Sequence, residues 1–96
     1  MPVQLSTGVA LAQTLPDGTA MGFSIDYKFL GAKPQPSTQY VWVIERARGE
    51  PGRIFVRLTE KGTLQTFSPW RPEEGPFRAY LEDGSGNRLS QTIDLR

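Results

Sequence analysis

The sequence predicts an all-β protein, an antiparallel seven-stranded β-sandwich, on three observations. Ten glycines and eight prolines are spread through 96 residues and gather between short segments, where they mark turns. Residues 22–29 alternate strictly, with Phe23, Ile25, Tyr27 and Phe29 to one side and Ser24, Asp26 and Lys28 to the other, the period of a half-buried strand. No window carries a sustained helical period. Seven such segments, separated by turn signals about eight to twelve residues apart, match the spacing of a sandwich.

Each element follows from its residues. The segment 3–14 places Val3, Leu5, Val9 and Leu11 around an interrupting Ser6-Thr7-Gly8, as an edge strand with a bulge or a change of sheet does. Pro16-Asp17-Gly18 turns the chain into the alternating strand 22–29. Residues 31–37 form a loop, because Pro34 and Pro36 remove ladder donors. Strands over 39–47 and 53–59 flank Gly49-Glu50-Pro51-Gly52, and Ile54, Val56 and Leu58 alternate in the second. A tight connection at 60–62 leads to a strand over 63–67, and 68–76 is an irregular loop carrying Trp70. Phe77, Ala79 and Leu81 make the sixth strand, Glu82 to Asn87 turn the chain, and Leu89, Ile93 and Leu95 make the last.

The central hairpin has two registers. A three-residue loop at Glu50 to Gly52 sets Glu45 opposite Arg57 and Ile44 opposite Leu58, whereas a two-residue Pro51-Gly52 turn sets Arg46 opposite Arg57 and Ile44 opposite Thr59. Glu50 precedes a proline and resists the helical start of the longer loop. The first register is nonetheless preferred. It pairs opposite charges, a difference of about 1 kcal/mol, and turns Tyr40, Trp42, Ile44, Ile54, Val56 and Leu58 inward, where each large side chain contributes about 1.5 to 3 kcal/mol by burial.

Composition bounds the function. At 38% hydrophobic and 22% charged the chain reads as one domain, residues 1–96. Eleven basic and ten acidic residues give a net charge of +1, too little for electrostatic capture of a phosphate backbone, so nucleic acid is not an expected partner. There is no cysteine and no histidine. Disulfides, thiolate and histidine-based catalysis and the usual zinc, copper and haem ligand sets are therefore excluded, and no cofactor, metal or enzymatic activity is expected. The first basic residue is Lys28, so no secretory leader is expected in this stretch. No apolar run approaches the roughly 20 residues that span a bilayer, and no membrane insertion is expected.

The pattern resembles bacterial immunoglobulin-like and fibronectin type III-like modules over nearly its whole length. Tyr40-Val41-Trp42-Val43-Ile44 is similar to the third strand of such folds, with its core tryptophan, and residues 75–95 are similar to their closing hairpin. The resemblance implies an immunoglobulin-like sandwich serving as a non-catalytic binding or structural module, one domain of a larger bacterial envelope or secreted protein with a protein or glycan partner.

Four groups of residues carry candidate chemistry. Trp70, between Pro69 and Pro72, is a candidate stacking platform for a sugar ring or a proline-rich peptide, alone or with Phe55 or Tyr80, against the plainer reading of a plug closing the sandwich. Arg46, Arg48, Arg53 and Arg57 make a basic hairpin able to hold nucleic acid, with Arg46 and Arg53 as the ligand contacts, or a charged fringe that blocks edge-to-edge association. Asp83, Ser85, Asn87 and Asp94 have the spacing of a calcium loop, but Arg88 stands where the sharp turn needs glycine, so a hairpin turn is expected. Glu73 and Glu74 are adjacent carboxylates without the separation an acid and base pair needs. The alternative to a ligand-binding module is a spacer or assembly domain that self-associates through a sheet face or an edge strand.

Overall fold

Alternate side chains of each strand point to opposite faces, and two sheets meet over their inner apolar faces. The computed structural model describes residues 2–31 and 33–96; Met1, and Ala32 of the predicted 31–37 loop, lie outside the described residues. The strands are β1 (Val3–Leu15), β2 (Gly18–Phe29), β3 (Tyr40–Arg46), β4 (Gly52–Val56), β5 (Lys61–Ser68), β6 (Phe77–Glu82) and β7 (Ile93–Leu95), with one turn of 3-10 helix at Pro72–Glu74. They form an all-β sandwich of a three-stranded sheet, β1-β2-β5, and a four-stranded sheet, β4-β3-β6-β7, both antiparallel.

The alternating face of β2 supplies five of the fifteen buried core residues, Met21 and the four predicted ones. Phe23, Ile25, Tyr27 and Phe29 are buried against Tyr40, Trp42 and Ile44 of β3 and Phe77, Ala79 and Leu81 of β6. Their rings meet edge to face: Phe23 with Phe77 at 5.1 Å, Tyr27 with Trp42 at 6.0 Å, and Phe29 with Tyr40 at 5.6 Å. Such pairs add about 0.5 to 1.5 kcal/mol beyond the area they bury. Trp42 is fully buried and its indole N–H has no partner among the described residues, so burial of the ring must outweigh about 1 to 3 kcal/mol of desolvation.

The central hairpin corrects both predicted registers. Ile44 faces Gly52, Trp42 faces Ile54 and Tyr40 faces Val56. Relative to the preferred register the partner of Ile44 moves from Leu58 to Gly52, and 58 − 52 = 6 is an even slip that keeps every side chain on its predicted face. A wide connection replaces the tight turn because its hydrogen bonds come from elsewhere. Arg46 Nε donates to the Glu50 carbonyl at 2.7 Å, and the N–H groups of Ala47 and Arg48 donate to the carbonyls of Pro76 and Glu74. Glu45 consequently faces Arg78 of β6 instead of Arg57.

β1 has the predicted interruption. Its register against β2 shifts between Leu5 and Thr7, making Ser6 the extra residue of a bulge. Before the bulge, Val3 N donates to Leu89 O at 3.0 Å and Leu5 exchanges two hydrogen bonds with the Gln91 side chain. After it, Gly8 O accepts from Arg96 N at 3.2 Å. These bonds close one side of the sandwich against the C-terminal segment. A β-carbon on Gly8 would lie 2.6 Å from Leu95 Cδ2 and 2.7 Å from the Asp94 carbonyl, so only glycine admits β7 there. The last strand is shorter than predicted: β7 begins at Ile93, and Arg88 and Ser90 form isolated bridges with Glu82 and Val3.

Candidate functional site

The 3-10 turn and the β3–β4 connection form one cluster at an end of the sandwich. Trp70 stacks on Phe77, with centroids 6.0 Å apart at 12°, and meets Phe23 edge to face at 6.0 Å. The Arg46 guanidinium lies 4.5 Å from the Trp70 ring centroid, within cation–π range. Its Nη1 donates to Glu74 Oε1 at 2.8 Å, while Glu74 Oε2 accepts from Arg71 N at 2.8 Å. Glu74 is therefore a tie between two loops, and Trp70 is a half-buried plug with its ring already engaged.

Arg53 and Phe55 lie on the outer face of the four-stranded sheet. Arg53 sits opposite Val43, which on its other side faces Tyr80, and Phe55 sits opposite Val41, which faces Glu82. Arg53 reaches diagonally across β3 to pair with Glu82. Val41 and Val43 are buried although they point away from the core, because these long side chains fold over them. Arg88 lies 3.9 Å from the Tyr80 ring centroid. Phe55 is 64% exposed.

The five predicted contact residues thus separate. Trp70 and Arg46 come together; Arg53, Phe55 and Tyr80 share an outer surface. Gly52, Arg53, Ile54, Phe67, Ser68 and Trp70 also border a groove of about 210 Å³ between the edges of β4 and β5, smaller than the ~300 to 1,000 Å³ of most small-molecule sites. The Asp83 segment forms a turn. The Asp83 carboxylate accepts from Ser85 N at 2.8 Å, Asn87 N at 2.9 Å and Asn87 Nδ2 at 3.0 Å. Chiefly the Asn87 main-chain donor, then its side chain, holds the Asp83 pKa below the ordinary carboxylate value.

Sequence reasoning missed the outer face of the three-stranded sheet. Leu11, Gly22 and Phe67 lie in one row across β1, β2 and β5, with Val9, Ser24 and Gln65 in the next. Leu11 is 58% and Phe67 63% exposed, and Val9 and Leu15 are also exposed. The ring of Phe67 lies over Gly22, where a β-carbon would meet its Cε1 at 3.2 Å. The result is a shallow apolar depression of about 240 Å³. A signal was present: no charged residue precedes Asp17.

No protein-family model, curated protein or solved structure matches the chain. No helix among the described residues is long and apolar enough to cross a membrane.

Proposed function

We propose that the chain is a non-catalytic binding or structural module that meets a protein partner through the outer face of the three-stranded sheet. The observation that carries this is the Leu11–Gly22–Phe67 row, whose two large side chains are mostly exposed at the uncharged end of a face that keeps Asp26, Lys28 and Lys61 at its other end. Contiguous exposed apolar surface of this kind marks interaction sites. The strand order β1-β2-β5 and β4-β3-β6-β7 supports an immunoglobulin-like build, with the fourth strand moved to the second sheet, on the fibronectin type III-like side of that class. A place in a larger bacterial envelope or secreted protein rests on that likeness alone.

A second reading, a glycan or peptide at the Trp70 groove, is favoured by the apolar walls of Ile54, Phe67 and Trp70. It requires a ligand to share the Trp70 ring with Arg46. The arginine hairpin is a poor nucleic-acid surface because Arg46 and Arg53 are each paired with a carboxylate. Amide shifts recorded over a concentration series, then with glycans, peptides and calcium, separate the readings. Shifts centred on Leu11, Ser24 and Phe67 that rise with protein concentration, and vanish in Phe67→Ser, support the sheet face. Shifts centred on Trp70 and Gly52 with added ligand, and none on the sheet, would replace it.

A further inference from the structure

The outer edge of β1 is occupied for half its length and open for the rest. On this edge Val3, Leu5 and Gly8 are bonded to Leu89, Gln91 and Arg96. The bulge at Ser6 shifts the parity, so beyond Gly8 the main-chain groups that face away from β2 belong to Ala10, Ala12 and Thr14. Among the described residues none of these three has a partner on that side.

The open stretch is also the least supported part of the sheet. Met21 is the last residue of β2 paired with β5, and beyond it Gln13–Leu15 and Gly18–Ala20 extend as a two-stranded arm. Two strands alone are marginal in water, and a third stabilises them. Natural edges are guarded by charge, proline or a bulge. From Val9 to Leu15 there is no charged residue, no proline and no bulge.

We infer that this edge pairs antiparallel with the same edge of a second copy of the chain, about a two-fold axis at Ala12. The inference rests on the three-stranded sheet being the contacting surface and names its partner. A self-paired strand must be free of like charges brought face to face. β1 satisfies this, whereas the other edge strands β4, β5 and β7 carry Arg53, Lys61 and Asp94. Only the register with Ala12 facing Ala12 and Ala10 facing Thr14 uses all three open residues of both copies, forming roughly six main-chain hydrogen bonds. The small side chains of Ala10, Ala12 and Thr14 line one face of the junction. On the other, Val9 meets Leu15 and Leu11 meets Gln13 of the second copy. Two three-stranded sheets become one of six strands, and their apolar rows join side by side.

Sedimentation of the 96-residue chain and three Ala12 variants tests this. The wild-type mass should rise from 10.7 kDa towards twice that value with concentration. Ala12→Pro removes an outward donor and leaves the bonds to β2 intact, and Ala12→Lys opposes two charges at the axis. Each should weaken association about tenfold or more, the equivalent of about 1.4 kcal/mol, with the amide spectrum of the folded monomer retained. In this cysteine-free chain, Ala12→Cys should oxidise to a linked dimer, since Cα atoms about 5.5 Å apart across a hydrogen-bonded pair suit a disulfide; Gln65→Cys on β5 should not. A wild type that stays monomeric, or an Ala12→Lys protein that associates as tightly as wild type, overturns the pairing. Association that survives both Ala12→Pro and Ala12→Lys but is lost in Phe67→Ser also overturns it, while leaving the sheet-face reading intact.

Discussion

A β-carbon on Gly52 would lie 2.9 Å from Cζ2 and 3.0 Å from Cη2 of Trp70, so the bare main chain at Gly52 is one wall of the tryptophan's seat. Overpacking at such a contact costs about 1 to 3 kcal/mol. Gly52→Ala should therefore lower the urea midpoint, and most of that loss should disappear in a Trp70→Leu background. A double-mutant cycle measures the coupling, and additive losses would show that the two residues do not share the site.

Arg46 holds the same seat from another side. Its contacts with the Glu74 carboxylate, the Glu50 carbonyl and the Trp70 ring together predict a loss of about 1 to 2 kcal/mol in Arg46→Ala. Arg46→Lys should recover only part of it, because an ammonium lacks the planar fork. Arg48→Ala, a change on an exposed residue, should stay within about 0.5 kcal/mol of wild type. Chemical denaturation followed by tryptophan emission ranks the three.

Ser90 is a fully buried polar side chain that accepts from Leu81 N at 2.9 Å and donates to Gln91 O at 3.0 Å. Ser90→Ala leaves the Leu81 donor without its acceptor and should cost about 1 to 3 kcal/mol. Faster hydrogen exchange at the Leu81 amide, measured with the unfolding free energy, checks that the loss arises there.

The Asp83 turn sets an acid limit. A carboxyl whose folded pKa is depressed contributes stability that is fully present above its unfolded pKa, near 3.8, and is lost as pH falls through the lower folded value. Asp83→Ala should thus be less stable than wild type at neutral pH, with the difference shrinking below pH 3.8. Paired denaturation curves across that range test the sign.

Period-two patterns were legible wherever one face met the core. Phe23 to Phe29 fixed their face locally, because a strand with one buried side has one workable orientation, whereas Tyr40 to Ile44, buried on both faces, took theirs only from pairing with the next strand. The β3–β4 register was not legible. Its connection takes hydrogen bonds from Glu74 and Pro76, groups more than 20 residues away that no turn rule at Gly49 to Gly52 contains. For the same reason the arginine hairpin and the Trp70 loop read as two separate candidates in sequence, although Arg46 and Trp70 are neighbours in space. Phe55 and Tyr80, candidate stacking partners of Trp70 in the sequence, lie on the outer surface of the four-stranded sheet, whereas Trp70 packs on Phe23 and Phe77.

The bulge at Ser6 bears on heredity as well as on architecture. Continuing the register of Leu5 opposite Tyr27 without interruption would set Val9 opposite Phe23 and Leu11 opposite Met21, both facing the core, and turn Gly8 and Ala10 outward. Loss of the Ser6 codon, by contrast, would remove the extra residue and leave Val9 opposite Ser24 and Leu11 opposite Gly22, with both side chains still outside. The exposed apolar row therefore tolerates the removal of Ser6 but not its entry into the ladder.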